Sequence, residues 1–168
     1  MIFKYKSYGH ALRPVIPVTI LYKNAHVDYE VLVDSGSDHC FFDSEIGEDI
    51  GITRGNSEIK EVFGVGGKIS IYHSHKVTLK IGEQSFETEV GFMPNLGGSI
   101  VSYGIVGQKG FFDKFIIKFD YINEEVEITD KKSHDPKDSR AGANNGCGLL
   151  GGLTEAYHDT YLTKSSKY

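Results

Sequence analysis

Residues 31–37 read Val-Leu-Val-Asp-Ser-Gly-Ser, an apolar run that leads directly into a carboxylate flanked by hydroxyl groups. The three consecutive apolar residues indicate a strand that is buried on both faces. Ending such a strand on Asp34 is costly in desolvation unless hydrogen bonds or a shared proton compensate. Ser35, the Gly36 amide and Ser37 supply donors at short range. The pattern predicts either a functional carboxylate or a simple turn cap, since Asp-Ser-Gly is also common turn chemistry.

The flanks of this stretch predict a β-rich fold. On its N-terminal side, Arg13–Leu21 and His26–Val33 flank a short polar turn and predict a hairpin. On its C-terminal side, Asp43 and Ser44 can cap a short helix that continues to Ile50. Further strands are predicted at Ile69–Tyr72, Lys76–Ile81, Ser85–Phe92, Phe115–Phe119 and Glu125–Ile128, and a second short helix around Gln108–Lys114. Short strands at this spacing indicate an all-β barrel or sandwich.

Two more segments have unusual composition. Val62–Ile69 is rich in glycine and lies between predicted strands, which is typical of a hairpin tip that approaches a ligand closely. Tyr103–Phe112 contains the apolar-apolar-glycine sequence Ile105-Val106-Gly107, followed by Gly110 and two phenylalanines. Phe111, Phe112 and Phe115 are predicted to pack in the core.

These three segments, in this order, resemble the retropepsin-like aspartic proteases, particularly the stand-alone single-domain prokaryotic members. The resemblance rests on Leu32–Asp38, on Phe63–Gly67 and on Ile105–Gly107 with the glycine and phenylalanines that follow. It covers roughly residues 13–128. The fold that it implies is a small closed acid-protease-like β-barrel with one or two short helices.

The resemblance also implies an aspartic endopeptidase that cleaves a peptide or protein substrate. Asp34 would be the catalytic carboxylate, and this chemistry needs two carboxylates that share one proton. The sequence contains a single Asp-Ser-Gly, so the pair requires a C2 homodimer to which each subunit gives one aspartate. The alternative is a catalytically inactive peptide-binding or dimerisation module with the same fold.

Supporting roles follow from the same resemblance. Ser35 would bond across the dimer axis, Ser37 would contact the outer carboxylate oxygen or the water, and Gly36 would offer its carbonyl to substrate. The implied substrate-binding residues are Gly36, Asp38, Gly64, Val65, Gly66 and Gly67. Retroviral members place an arginine directly after the apolar-apolar-glycine sequence, where it pairs with the residue matching Asp38. This chain has Gln108 there, which we expect to hydrogen-bond Asp38 instead.

Charge and composition exclude several classes of function. With 18 Lys and Arg against 23 Asp and Glu, the chain has a net charge of −5 and lacks the basic footprint of a protein that binds nucleic acid or anionic membranes. No apolar stretch is long enough to span a bilayer, and no secretory leader is evident. A cytoplasmic protein without membrane association is therefore expected.

We expect no cofactor and no metal. Gly146–Gly151 matches a dinucleotide-binding pattern, but it follows a polar segment rather than a strand. His73 and His75 share one face of a strand, and without a third ligand they are interpreted as surface residues. Cys40, beside two phenylalanines, is interpreted as a small buried hydrophobe.

The chain is predicted to divide near residue 131. Residues 1–131 form the predicted retropepsin-like domain. Residues 132–168 are predicted to be a polar linker and a weakly structured C-terminal tail, because their first part is charged, small and nearly free of large apolar residues.

Overall fold

The structure, a computed structural model, describes residues 1–53, 55, 57–64, 66–96 and 103–131. The predicted tail, residues 132–168, and the glycine pattern at Gly146–Gly151 lie outside these residues, so the division near residue 131 stays a prediction. In chain order the described strands are β1 (Ile2–Lys4), β2 (Lys6–Tyr8), β3 (Ala11–Arg13), β4 (Val15–Tyr22), β5 (Ala25–Val33), β6 (Cys40–Asp43), β7 (Glu58–Phe63), β8 (Ile69–Ile81), β9 (Gln84–Met93), β10 (Gly104–Val106), β11 (Phe115–Asp120) and β12 (Glu125–Asp130). The described helical segments are α1 (Ser44–Asp49) and one wide turn, Gln108–Phe112.

Six strands close into a barrel, as predicted. They are hydrogen-bonded in the order β4-β5-β10-β6-β9-β8, and β8 pairs back onto β4. Two neighbouring pairs within the ring, β10 with β5 and β6 with β9, are parallel. Closure leaves these six strands without an open edge, which stabilises an all-β chain of this size against association through its edges.

Alternating side chains fill the barrel. Val31 and Val33 point into the core from β5, and neither is more than 3% exposed. The other largest fully buried side chains are Val15, Ile16, Ile20, Phe42, Leu79, Ile81, Val90, Val106, Phe111, Val126 and Ile128. Phe111 and Phe115 lie in this core as predicted, and Phe112 packs against it partly buried.

The helix predicted after Asp43 is confirmed. The Asp43 side chain accepts a hydrogen bond from the Glu45 amide at 3.0 Å and caps α1. The helix is followed at Gly51 by a residue with φ of +81°, a conformation that favours glycine. The second predicted helix is shorter than expected: Gln108–Phe112 forms one wide turn, and Gly110 at its centre has a φ of +97° that no regular helix contains.

The predicted strands Ile69–Tyr72 and Lys76–Ile81 are one continuous strand, β8. Residues 73–75 do not interrupt it, because Ser74 pairs with Glu58 on one side and with Gly91 on the other. Residues 69–72 of β8 pair only with β7. The hairpin of β7 and β8 therefore projects beyond the barrel while its base is fixed in the barrel wall.

Three N-terminal strands were not predicted from the sequence. β1 pairs with β12, and β12 with β11, to form a separate three-stranded sheet. β2 and β3 form a small hairpin that is tied to β5, since the Lys6 ammonium and the Tyr8 hydroxyl both donate hydrogen bonds to Glu30. These two bonds hold the pKa of Glu30 below its usual value.

Neither helical segment among the described residues combines the length and the apolar character that crossing a bilayer would require.

Candidate active site

The acidic loop, defined here as Asp34–His39, emerges from the end of a buried barrel strand. The Val33 amide donates to Pro14 O and the Asp34 amide to Val106 O, each at 3.0 Å, so the backbone is held on both sides up to the carboxylate. Beyond that point the chain turns, and the Ser37 amide donates back to Asp34 O at 3.3 Å. The barrel thus fixes the position of Asp34 through its backbone.

One oxygen of the Asp34 carboxylate is held within the loop. Oδ1 accepts a hydrogen bond from the Gly36 amide at 2.9 Å. Among the hydrogen bonds of the described residues, Oδ2 accepts none. The Asp34 residue is half-buried, so a carboxylate of fixed orientation presents one free oxygen at the mouth of the barrel.

The serine side chains of the loop have different surroundings. Ser35 is exposed, as a residue available for contact with another chain would be. The Ser37 hydroxyl donates to His39 O at 2.8 Å. The expected contact of Ser37 with the outer carboxylate oxygen of Asp34 is not among the hydrogen bonds of the described residues.

Three hydrogen bonds from one neighbouring segment hold the acidic loop. The Gln108 amide donates to Ser37 O at 2.8 Å, and the Lys109 amide donates to Asp38 O at 2.9 Å. The Gln108 side chain donates from Nε2 to Ser35 O at 2.6 Å. The expectation that this side chain would bond Asp38 is therefore wrong: it holds the backbone beside Asp34, and the Asp38 residue is exposed.

The predicted glycine-rich tip lies at the end of the projecting hairpin of β7 and β8. The Gly64 amide donates to Lys68 O at 2.9 Å, and the Gly67 amide donates to Gly64 O at 3.0 Å. Gly66 and Gly67 have φ values of +87° and +76°, which explains why this tight reversal needs glycine. Val65 lies outside the described residues.

The hairpin and the acidic loop belong to one surface of the barrel wall. Side chains alternate along a strand, so Asp34 continues the face opposite to Val33, which points into the core. Ile105 pairs with Leu32 and with Phe41 in the neighbouring strands, and its side chain lies on this same outer face.

Apolar side chains join this outer face to the hairpin. Phe41, Tyr72 and Met93 form a small buried cluster against which Val62 and Ile105 pack. The rings of Phe41 and Tyr72 meet edge to face at 5.1 Å. The result is an apolar wall between the acidic loop and the hairpin. This wall could not be predicted from the sequence, because its members come from five strands and no local pattern connects them.

The aspartyl protease family model matches residues 16–109. That span includes the acidic loop, the hairpin and the segment that holds the loop. The chain belongs to the aspartyl protease family.

Two solved structures are similar to this aspartyl protease. A retropepsin-like aspartic protease from Rickettsia conorii matches with a TM-score of 0.54 and 14% sequence identity, over 76% of this chain and 88% of that one. EIAV protease complexed with the inhibitor HBY-793 matches with a TM-score of 0.45 and 22% identity, over 61% of this chain and 88% of that one. The match to the Rickettsia conorii structure shows that the fold is retropepsin-like, as the sequence predicted. No protein of curated function matches the sequence.

Cys40 of this aspartyl protease behaves as predicted. The residue is fully buried in the core, and burial raises the pKa of its thiol to about 11. A thiol with so high a pKa is protonated at neutral pH and is a poor nucleophile.

The two strand histidines are less exposed than the interpretation as surface residues implied. Nδ1 of His73 lies 2.6 Å from the Ser57 hydroxyl. The ring of His75 lies edge-on to Phe92, and burial, together with His73, lowers its pKa. Among the described residues, no group of three histidine, cysteine or acidic side chains is placed to hold a metal ion.

Proposed function

We propose that this protein is an aspartic endopeptidase that acts as a C2 homodimer, with Asp34 of each subunit forming the catalytic pair. The observation that supports this most directly is the Asp34 carboxylate, which is fixed through Oδ1 by the Gly36 amide at 2.9 Å and free at Oδ2. It lies at the mouth of the barrel, and the projecting hairpin belongs to the same outer face of the barrel wall. Membership of the aspartyl protease family supports the same reaction.

The reaction needs two such carboxylates. Two carboxyl groups about 3 Å apart share one proton, because both cannot ionise at that distance. The ionised aspartate takes a proton from water, which attacks the peptide carbonyl, while the protonated aspartate donates a hydrogen bond to the developing oxyanion. One chain offers one Asp-Ser-Gly, so the second carboxylate is assigned to a symmetry-related copy.

The remaining residues of the acidic loop and the tip have supporting roles in this proposal. Exposed Ser35 bonds across the axis between the two loops, and Ser37 stabilises the turn through His39 O. The Gly36 carbonyl and Asp38 contact the peptide backbone. Gly64–Gly67, with Val65 among them, close over the bound peptide and exclude water, which strengthens the electrostatic interactions in the site.

Dilution tests the homodimer. If only the dimer is active, the specific activity on an unfolded protein substrate falls as the protein is diluted, because the dimer concentration varies as the square of the free monomer concentration. Sedimentation velocity at the same concentrations is expected to show the dimer disappearing in step. Full specific activity from protein that sediments as a monomer would contradict the shared site.

Removing the Gln108 side chain is expected to weaken catalysis more than stability. Gln108→Ala deletes the 2.6 Å hydrogen bond that holds Ser35 O, so the loop beside Asp34 is less well ordered. Losing one such bond is worth about 1 kcal/mol, so kcat is expected to fall by about fivefold, with a smaller change in KM.

The matched variants are Gln108→Glu and Gln84→Ala. Glutamate has a similar shape but cannot donate to Ser35 O when ionised, so it is expected to lose as much kcat as alanine does. Gln84, exposed at the start of β9, is expected to tolerate the same truncation. Wild-type kcat in Gln108→Ala would show that this side chain does not position the loop.

A further inference from the structure

An open groove of about 620 Å³ lies next to the apolar wall of the candidate active site. It begins at His39, the last residue of the acidic loop, whose ring lies 6.2 Å from Phe41 and 6.3 Å from Tyr72. On the other side it is bounded by Lys109, whose amide holds Asp38 O. The groove therefore starts where the acidic loop ends and continues the surface on which a peptide would lie.

Lysines dominate the lining of this groove. Its four lysines are Lys60, Lys76, Lys109 and Lys114, and we call it the basic groove. They come from the base of the hairpin, the barrel wall and the segment after Gly107. The whole chain has a net charge of −5. The local excess of ammonium groups therefore gives the groove a charge opposite in sign to that of the chain as a whole.

The acidic residues of the groove are Glu87, Glu89 and Asp113, and two of them have partners. Glu89 accepts hydrogen bonds from Lys60, at 2.6 Å, and from Ser74, and these bonds lower its pKa. Asp113 accepts from the Gly110 amide at 3.1 Å and lies 4.0 Å from the Lys114 ammonium.

Two lysines of the groove stay available. Within the described residues, the ammonium groups of Lys76 and Lys109 form no hydrogen bond or ion pair, and both residues are exposed. Glu87 is the one groove acid without a described partner. Two available cations against one available anion favour a ligand with negative charge.

We propose that the basic groove extends the peptide-binding surface and selects substrates that carry Asp or Glu a few residues from the cleaved bond. This inference rests on the proposed peptidase function. In the expected substrate, an acidic side chain reaches Lys76 and Lys109. An extended peptide advances about 3.3 Å per residue, so a substrate strand that lies beside the acidic loop can continue into the basic groove within a few residues.

Matched peptides test this selection. Cleavage sites are first mapped in an unfolded protein, and one cleaved peptide is then synthesised with Glu, Gln or Lys at each flanking position in turn. At one or more positions, kcat/KM is expected to be about tenfold higher for Glu than for Gln and lower still for Lys, since each exposed ion pair is worth up to about 1 kcal/mol. High salt is expected to reduce the preference.

Lysine variants show whether Lys76 and Lys109 produce the preference for the Glu peptide. In Lys76→Gln with Lys109→Gln, the ratio of kcat/KM for the Glu peptide to that for the Gln peptide is expected to approach one. In Lys76→Glu with Lys109→Glu, the Lys peptide should become the best of the three. Lys118→Gln, which changes an exposed lysine of the terminal sheet that does not line the groove, is the matched control and should keep the wild-type ratio.

The experiment distinguishes an error in the proposed role of the groove from an error in the proposed peptidase function. Cleavage of all three peptides with the same kcat/KM would overturn the basic groove and leave the proteolysis standing. If no peptide is cleaved, the proposed function fails, and binding of fluorescent Glu and Gln peptides to the intact protein then tests the groove directly. Tighter binding of the Glu peptide, lost in the double lysine variant, would support it, and equal binding would overturn it.

Discussion

Asp34→Asn is expected to abolish peptide cleavage and to leave the fold intact. Asparagine has nearly the shape of aspartate, and its side-chain oxygen can accept the same hydrogen bond from the Gly36 amide. It cannot take a proton from water or share one with a second carboxylate. Because the change removes both members of the proposed pair, kcat is expected to fall by about 10³-fold or more.

The same substitution at Asp28, on β5, is the matched control. Asp28 is exposed, and its carboxylate accepts a hydrogen bond from Thr19 at 2.7 Å. Asp28→Asn is expected to retain wild-type kcat, and thermal melting should show both variants folded. Turnover retained in Asp34→Asn would assign the chemistry to another group. A wild-type protein that binds peptide and never cleaves it would favour the inactive peptide-binding module instead.

The local parts of the site could be predicted from the sequence. The run from Val31 into Asp34 marks the end of a buried strand, because a carboxylate inside a strand buried on both faces would be costly to desolvate. The glycines at the hairpin tip and the cap at Asp43 follow from backbone conformation and from hydrogen bonding within a few residues. Each of these signals lies within one segment of chain, which is why each was recovered.

Contacts between distant segments could not be predicted. β10 contains only Gly104–Val106, yet it lies between β5 and β6 and forms the parallel register that brings Ile105 beside Leu32. Gln108 was paired with the wrong residue, since sequence spacing does not specify whether its amide reaches Ser35 O or the Asp38 carboxylate. The basic groove could not be predicted for the same reason, because its four lysines come from three separate segments.

The second large effect is expected from Gly107→Ala. Gly107 has φ of −118° and ψ of −165°, an extended conformation that any residue adopts. Its need for glycine comes from packing: a Cβ atom there would lie 2.4 Å from both Ser37 O and His39 O. Both oxygens belong to the backbone of the acidic loop and cannot swing away as a side chain can.

Relief of that overlap must separate the acidic loop from the segment that holds it. The hydrogen bonds from Gln108 and Lys109 to Ser37 O and Asp38 O would be stretched together, so the free energy of unfolding is expected to fall by about 3 kcal/mol. Displacing Asp34 by even about 1 Å costs on the order of 10²-fold in rate. Variant protein that remains folded should therefore show a loss of kcat/KM of that order.

Gly51→Ala separates packing from backbone conformation. Gly51 has φ of +81°, but a Cβ there would meet nothing within 4 Å, so alanine is expected to cost about 1 kcal/mol of stability and no activity. Chemical denaturation and kcat/KM, measured for both variants, give the comparison. Gly107 packs against the acidic loop, and Gly51 does not. In Gly107→Ala, the loss of kcat/KM should therefore exceed the loss that the unfolded fraction explains. In Gly51→Ala, it should not. Wild-type stability and activity in that variant would mean that the loop does not pack against Gly107 as described.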